Sequence, residues 1–153
     1  MRIGFACDHS GLKKNNHGFI VKDEIIKYLK KNNYDVVDMG PKKLIPTDDY
    51  PDYVIQLGEA IRDKKIDFGI VMCGTGIGAS IACNKVKGVR CAKVNTMYEA
   101  KMTRLDNDAN VLSVGMNISL DKLHKIIDTF LTTKKSDHER HRRRIDKITA
   151  YEC

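Results

Sequence analysis

Short apolar segments alternate with helical patterns along the chain, and this alternation constrains the fold more than any other feature. Five segments have the length and the β-branched content of strands, and they are residues 2–6, 34–38, 67–72, 89–94 and 110–114. Apolar residues recur at helical spacing in residues 19–29, 54–61 and 120–130. A repeated βα order predicts a parallel sheet with helices on both faces. We therefore predict an α/β fold, a doubly wound five-stranded parallel sheet in a Rossmann/flavodoxin-like three-layer sandwich with a C-terminal helical tail.

The length of the chain fits one domain. With 153 residues the chain can bury a sizeable core but is short for two domains, so we predict a single domain over residues 1–153. Apolar runs stay far below the roughly 18 residues of a membrane span. The first ten residues, MRIGFACDHS, lack a signal-peptide pattern. We predict a cytoplasmic protein that makes no membrane contact.

The cysteines do not form a disulfide or zinc pattern. They are five in number, without C-x-x-C spacing, at Cys7, Cys73, Cys83, Cys91 and Cys153. We expect reduced thiols and no metal site. Cys83 and Cys91 lie in apolar surroundings and are predicted to be small core residues, while Cys153 is predicted to be a loose end.

The segment VMCGTGIGAS, residues 71–80, is the strongest candidate for a functional site. A short apolar strand delivers Cys73 to its end, and Gly74, Gly76 and Gly78 permit a turn whose amides converge at the start of a helix. Such amides can bind an anion, and a thiol beside them should ionise more readily than an isolated one. The same pattern also fits a purely structural strand-to-helix turn with a core cysteine.

The glycines also fit a relaxed dinucleotide-binding fingerprint, G-x-G-x-x-A, but their context argues against it. That fingerprint follows the first strand of its fold and is accompanied by an acidic residue at the end of the next strand. Here the glycines follow the third strand, and the next strand ends in Val94-Asn95-Thr96. The sequence therefore does not predict a dinucleotide cofactor.

Polar residues at the end of the first strand supply a second loop of the candidate site. In flavodoxin-like sheets the first and third strands are neighbours, and ligands bind beyond their carboxyl ends. The first strand runs into Asp8 and His9, and the third runs into Cys73 and Thr75. An Asp-His pair alone would fit a loop ion pair or a helix cap. Two such loops side by side predict a binding site.

Positive charge is concentrated near the C-terminus. The net charge is +7. Residues 134–147 hold seven basic side chains (Lys134, Lys135, Arg140, Arg142, Arg143, Arg144, Lys147) against three acidic ones (Asp137, Glu139, Asp146). Such a tract fits a solvated helix face, a nucleic-acid patch or a phosphate clamp. It lacks the aromatic residues that stack on single-stranded nucleic acid, so we predict no nucleic-acid partner.

Over almost its full length the chain resembles a known family. The segments that carry the resemblance are the DH pair after the first strand, DYPDY at 49–53, CGTGIGASIACNK at 73–85, RLDNDANVLSVG at 104–115 and RHRRRIDKITAYE at 140–152. They look like those of ribose-5-phosphate isomerases of type B, in the superfamily that also contains galactose-6-phosphate isomerase. The glycine loop, the NDANVL segment and the arginine-rich tail together are far more specific than any one of them.

The resemblance implies a reaction and a set of residue roles. The family interconverts ribose 5-phosphate and ribulose 5-phosphate through an enediolate, without metal or organic cofactor. Cys73 matches the base that takes the proton from C2 and returns it at C1. Thr75 matches the hydroxyl that helps to move a proton between O1 and O2. The anion hole for the enediolate is matched by the amides of residues 74–78, which include Gly74, Gly76, Ile77 and Gly78.

Further positions match substrate contacts of the family. Asp8 and His9 match residues at the sugar and the phosphate, Asn107 matches a substrate contact, and Arg140 and Arg144 match phosphate-binding arginines. The two arginines are four positions apart, so on a helix they share a face and can grip one phosphate. The resemblance implies a phosphorylated sugar as substrate and a homodimer with shared active sites, or a tetramer.

Three features depart from the family pattern. Asp106 stands where the family usually has the histidine assigned to opening the furanose ring, and Asp106 is our candidate for that catalytic role. A carboxylate can take the proton of the anomeric hydroxyl but needs a donor for the ring oxygen, such as His9 or His17. Asn117 replaces a phosphate-contacting arginine, and the loop 10–18, which contains His17, is longer than usual.

Two alternatives to a pentose-phosphate isomerase stay open at this level. The same chemistry could act on a hexose 6-phosphate such as that of allose or galactose. A catalytically weak sugar-phosphate-binding protein would explain Asp106 and Asn117, although the intact Cys73 and Thr75 argue against it.

Overall fold

The computed structural model describes residues 1–152 and consists of one parallel sheet with flanking helices. The strands are β1 (Arg2–Cys7), β2 (Asp35–Asp38), β3 (Phe68–Cys73), β4 (Cys91–Lys93) and β5 (Val111–Gly115). The helices are α1 (Val21–Lys31), α2 (Tyr50–Arg62), α3 (Ile77–Cys83), α4 (Met97–Asn107), α5 (Leu120–Thr132) and α6 (Glu139–Thr149), and a 3-10 turn covers His9–Leu12. The predicted α/β fold with its helical tail is confirmed. The expectation for Cys153 lies outside the described residues.

The sheet has the strand order β2-β1-β3-β5-β4, with all neighbours parallel. β1 and β3 are neighbours as predicted, so their carboxyl ends lie side by side. The last two strands are exchanged relative to the flavodoxin-like order 2-1-3-4-5. β4 is therefore the edge strand, and it is shorter than predicted. Just before it, the Arg90 amide donates to the Asn110 side-chain oxygen Oδ1 at 2.8 Å. β5 comes to lie beside β3, with Gly115 opposite Cys73.

Side chains of the strands alternate between two apolar cores, one on each face of the sheet. Phe5 and Met72 belong to the core that contains residues of α1, α4 and α5. Val71 and Cys73 belong to the core that contains residues of α2 and α3. This alternation places Cys73 on the α2–α3 face. Within residues 1–152, no helix combines the length and the apolar character that crossing a membrane requires.

The C-terminal helix packs at the amino end of the sheet. α4 runs back from the end of β4 to the start of β5, so its last turn lies near the amino ends of the strands. The Ser136 amide, just before α6, donates to the Leu105 carbonyl of that turn at 3.0 Å. Beyond α6, Glu152 accepts a hydrogen bond from the Gly88 amide at 2.9 Å. α6 therefore lies at the end of the sheet opposite Cys73.

Candidate active site

The loop after β3 places Cys73 beside backbone amides. Cys73 is the last residue of β3 and is 5% exposed. Its Sγ accepts a hydrogen bond from the Gly76 amide at 3.3 Å, and Thr75 Oγ1 accepts one from the Ile77 amide at 3.2 Å. α3 begins at Ile77. The predicted strand-to-helix turn is therefore present, and its thiol and hydroxyl each hold one amide of the turn.

Gly76 allows this loop to rest directly on β5. Its φ is 80°, and a Cβ at this position would lie 2.7 Å from the carbonyl carbon of Val114. The Gly76 carbonyl accepts a hydrogen bond from the Ser113 hydroxyl at 2.6 Å. The Gly74 carbonyl accepts one from the Met116 amide at 3.1 Å. β5 and the residue after it thus fix the position of the loop.

Gly74 has no comparable packing reason to be a glycine. A Cβ built on Gly74 would meet no atom within 4 Å. At Gly78, by contrast, a Cβ would lie 2.5 Å from the Tyr50 ring of α2. The space over Gly74, the residue after Cys73, is therefore open, so a ligand can approach the loop there.

At the end of β1, His9 is held by an acidic residue of the loop that precedes α2. His9 Nδ1 lies 2.7 Å from Asp48 Oδ1, which also accepts a hydrogen bond from the His9 amide at 2.9 Å. Tyr53 of α2 donates its hydroxyl proton to Asp48 Oδ2 at 3.0 Å. Because the carboxylate only accepts, the ring carries a proton on Nδ1 and presents Nε2 for a ligand.

The electrostatics of this cluster keep the Asp48 carboxylate charged. Burial alone would raise the pKa of Asp48, but hydrogen bonds from the His9 amide, the His9 ring and the Tyr53 hydroxyl hold it below its usual value. Burial and the hydrogen bond to Asp48 raise the pKa of Tyr53. Sequence reasoning missed Asp48. The available signal was its position directly before the DYPDY segment.

Asp8 caps the short 3-10 helix. It is 6% exposed, and its Oδ1 accepts hydrogen bonds from the Ser10 amide at 3.0 Å and from the Ser10 hydroxyl. Of the two alternatives that the sequence left open for the Asp-His pair, the helix cap is present, whereas His9 hydrogen-bonds to Asp48 and not to Asp8. In the part of the chain that the structure describes, no group of three or more His, Cys, Asp or Glu side chains is placed to hold a metal ion.

The other predicted site residues lie at the opposite end of the sheet. Asp106 and Asn107 end α4, and the Asn107 carbonyl accepts a hydrogen bond at 3.0 Å from Arg90 Nε, just before β4. Arg140 and Arg144 are on α6, at this same end. A strand of five or six residues is roughly 17–20 Å long. One chain therefore does not bring these four residues to Cys73.

α6 places the two predicted phosphate-binding arginines on one face. Arg140 and Arg144 are one turn apart in this helix, and both are exposed. Arg143 instead pairs with Glu139 of the preceding turn at 3.1 Å. Arg142 lines a groove on the other side of the helix with residues of the segment before α6.

Asp106 lies beside a histidine that sequence reasoning did not select. Its Oδ1 lies 3.4 Å from His141 Nδ1, and His141 is buried. Arg140 Nε donates to His141 Nε2 at 2.9 Å. His9 and His17, the donors that the sequence suggested for Asp106, lie at the carboxyl end of the sheet. The contact between α4 and α6 is tertiary, and the sequence carries no local signal of it.

The long loop 10–18 packs against the segment that follows β5. Asn15 Nδ2 donates to the Met116 carbonyl at 3.0 Å. His17 and Asn117 line a small cavity of about 220 Å³ at this edge of the sheet. The loop thus brings His17 to the carboxyl end of the sheet, next to Asn117.

The chain is similar to a known family of isomerases over nearly its whole length. A sequence model described as Ribose/Galactose Isomerase matches residues 3–148. Ribose-5-phosphate isomerase B of Escherichia coli is 38% identical over 152 residues, which cover 99% of this chain and 96% of that protein. The structure of ribose-5-phosphate isomerase B of Clostridium thermocellum is 40% identical with a TM-score of 0.89, covering 99% of this chain and 97% of that one. The structure of the Mycoplasma genitalium ribose-5-phosphate isomerase B with bound ribulose-5-phosphate is 38% identical with a TM-score of 0.87. The match covers 99% of this chain and 95% of that one. The chain therefore belongs to the ribose/galactose isomerase family.

Proposed function

We propose that this chain interconverts ribose 5-phosphate and ribulose 5-phosphate through an enediolate, with Cys73 as the base. Membership of the family makes it an aldose–ketose isomerase, and the relatives named above are ribose-5-phosphate isomerases B. The observation that carries the proposal is the Cys73 thiol at the end of β3. Its Sγ accepts a hydrogen bond from the Gly76 amide at 3.3 Å, and a Cβ on the next residue of the loop, Gly74, would face open space.

The residues of the loop fit proton transfer next to a carbonyl. Removal of the C2 proton of an aldose leaves an enediolate whose negative charge is on oxygen. A thiolate is a suitable base for this step near neutral pH, and it returns the proton at C1. The amides of residues 74–78 stabilise the oxyanion, one such donor being worth about 3–4 kcal/mol. The Thr75 hydroxyl moves a proton between O1 and O2.

The loops at the end of β1 bind the rest of the substrate in this proposal. His9 presents Nε2 because Asp48 holds Nδ1 at 2.7 Å, so the ring is oriented before substrate arrives. Asp8 is held by Ser10 at the same edge of the sheet. His9 contacts the phosphate and Asp8 the sugar.

A second copy of the chain completes the site. Asp106, Asn107, Arg140 and Arg144 lie at the end of the sheet opposite Cys73, so a complete set of groups needs two chains. Large apolar side chains are exposed on the helices that begin at the carboxyl end of the sheet: Ile77 and Ile81 of α3, directly after the Cys73 loop, are 55% and 59% exposed, and Tyr98 at the start of α4 is 71% exposed. Such a surface is typical of an interaction site. A two-fold homodimer that buries it would form two equal sites, and a tetramer would be a pair of such dimers.

Replacing Arg140 or Arg144 by alanine is expected to weaken substrate binding. Each variant loses a hydrogen bond between charged groups, worth about 1.5–3 kcal/mol, which raises KM roughly 10- to 150-fold. Steady-state kinetics with ribose 5-phosphate measure the change. Arg142→Ala is the control, because its side chain leaves α6 on another face, and its KM should stay unchanged. Equal increases at all three positions would indicate a diffuse positive field instead of a clamp.

Replacing Gly74 by alanine is expected to harm catalysis and spare the fold. The added Cβ meets no protein atom within 4 Å, so the free energy of unfolding should stay equal or rise by about 0.4–1 kcal/mol. The methyl group enters the space of the substrate, and misplacement by about 1 Å costs roughly 100-fold in rate. Gly76→Ala is the contrast, since its φ of 80° and its contact with β5 should lower stability. Full activity of Gly74→Ala would mean that the substrate does not use this space.

An assay of ketose formation tests the proposed function directly. The purified protein is incubated with ribose 5-phosphate, allose 6-phosphate and galactose 6-phosphate, and we expect the highest kcat/KM with ribose 5-phosphate. A higher kcat/KM with a hexose phosphate would select the hexose alternative. Saturable binding of the sugar phosphates without turnover would identify a binding protein instead of an enzyme.

A further inference from the structure

The long loop between β1 and α1 is fixed in place by one buried asparagine. Asn15 is 6% exposed, and its Nδ2 donates to the carbonyls of Met116 and Ile118, each at 3.0 Å. Its Oδ1 accepts hydrogen bonds from the His17 amide at 2.9 Å and from the Phe19 amide at 3.4 Å. One fully bonded side chain therefore ties the loop to the turn after β5 and sets the backbone at His17.

This loop spans the carboxyl end of β3, because it leaves β1 on one side of that strand and is bound beyond β5 on the other. A second contact to the turn is the Asn16 amide, which donates to Asn117 Oδ1 at 3.3 Å. Gly115 ends β5 opposite Cys73, and a Cβ on it would lie 2.9 Å from the Thr75 carbonyl oxygen. The turn that holds the loop is thus one strand, roughly 4.8 Å, away from the strand that carries Cys73.

A cavity of about 220 Å³ lies where the loop meets this turn. Its lining consists of His17, Val94, Asn95, Gly115, Asn117, Ile118, Ser119 and Lys122. Two of these side chains can carry positive charge, two are amides and none is acidic. Asp121, the acidic residue next to Lys122 in the chain, pairs with Lys125 at 2.8 Å. Since a water molecule occupies roughly 30 Å³ in the liquid, the cavity has room for a phosphate group. Its lining favours an anion.

We propose that this cavity binds the phosphate group of the substrate, with His17 and Lys122 as its cationic contacts and Asn117 as an amide contact. The inference rests on the proposed function, because it takes a phosphorylated sugar as the substrate. An imidazole N–H and an ammonium group both donate hydrogen bonds to phosphate oxygens. Asn117 has Nδ2 to donate, because its oxygen holds the loop. None of the residues assigned to the substrate above lines this cavity.

The order of groups along the substrate fits this placement. In the proposed function Cys73 acts at C1 and C2, whereas the phosphate is attached through the oxygen on C5. The phosphate therefore lies beside the Cys73 loop, and the cavity is one strand to the side of it. His9 begins the loop that also carries His17. Because a phosphate group has three terminal oxygens, His9 and the cavity can bind different oxygens of one group.

Alanine variants of His17 and Lys122 test the proposal. Both side chains are exposed, so the variants should fold. Each variant loses a hydrogen bond to a charged group, so KM for ribose 5-phosphate should rise roughly 10-fold with kcat unchanged. Lys13→Ala and Lys125→Ala are the matched controls, since each removes a cation from the same loop or the same helix without lining the cavity. Their KM should stay unchanged. Equal increases in all four variants would indicate a diffuse positive field and overturn the proposal.

Binding of inorganic phosphate separates this contact from the chemistry at carbon. Calorimetric titration of the wild-type protein and of the same four variants gives Kd for phosphate without turnover. We expect Kd to rise in His17→Ala and Lys122→Ala by about the factor seen in KM, and to stay unchanged in the two controls. A wild-type protein that does not bind phosphate, or a Kd that stays the same in both cavity variants, would overturn the proposal. Phosphate binding with this pattern in a protein that does not convert ribose 5-phosphate would support the cavity and refute the proposed function.

Discussion

Replacing Cys73 by alanine is expected to abolish the isomerase activity without unfolding the protein. The change removes the proposed base, and a positioned base contributes about 10²–10⁴-fold to the rate. It deletes one sulfur atom from the core between the sheet and α2–α3, where Cys73 is 5% exposed, so the cost in stability is about 1 kcal/mol. Steady-state kinetics with ribose 5-phosphate and thermal denaturation of the same samples measure the two effects.

Cys83→Ala is the matched control for this variant. Cys83 is buried in the same core as Cys73 but lies at the far end of α3 from the glycine loop. The two variants should therefore lose similar stability, while only Cys73→Ala loses activity. Wild-type turnover in Cys73→Ala, or parallel losses in both variants, would make Cys73 a structural residue of the strand-to-helix turn.

Alkylation examines the same thiol without a mutation. A thiol reagent should inactivate the enzyme, and bound ribose 5-phosphate should slow the reaction. Two other cysteines are poor competitors near neutral pH. Burial raises the pKa of Cys7 to about 12, and a hydrogen bond with Cys83 together with burial raises that of Cys91. Peptide mapping identifies the modified thiol, Cys153 included.

The elements of the fold were predictable where their signals are local. The alternation in β3, with Met72 on one face and Cys73 on the other, follows from the pleat of a strand. α4 was not among the predicted helical segments, because its apolar pattern is weak. Its local signal is the capping box of Thr96 and Glu99, in which the Glu99 amide donates to Thr96 Oγ1 at 3.1 Å. The exchange of β4 and β5 has no local signal, since it depends on which strands pair.

The candidate site was likewise predictable only where its residues are close together in the sequence. The loop from Cys73 to Gly78 is continuous in sequence, so its glycines could be interpreted directly. The contacts of His9 with Asp48 and of Asp106 with His141 join distant segments, and only the packed helices bring them together. Both contacts orient or pair a side chain that the sequence did select. The sequence therefore indicates the residues of the candidate site better than the residues that position them.

Mixing two inactive variants is expected to restore activity if two chains share each site. Cys73→Ala lacks the base, and the double variant Arg140→Ala/Arg144→Ala lacks the phosphate clamp. In a mixed dimer one of the two sites contains both the Cys73 substitution and the arginine substitutions. The second site combines the intact Cys73 of the arginine variant with the intact arginines of the Cys73→Ala chain. At equal amounts half of the two-fold dimers are mixed and each has one intact site, so activity should approach about one quarter of the wild-type value.

The matching control combines two defects within the same half of the site. Cys73→Ala mixed with Thr75→Val should stay inactive, because each site of the mixed dimer takes its glycine loop from one chain and both loops are defective. Co-expression with two affinity tags isolates the mixed dimers before the assay. Activity restored in the first mixture alone supports the shared site. Mixed dimers that stay inactive in both mixtures would show that the arginines of α6 do not complete the site of the second chain. The proposal of a site shared between two chains would then be wrong.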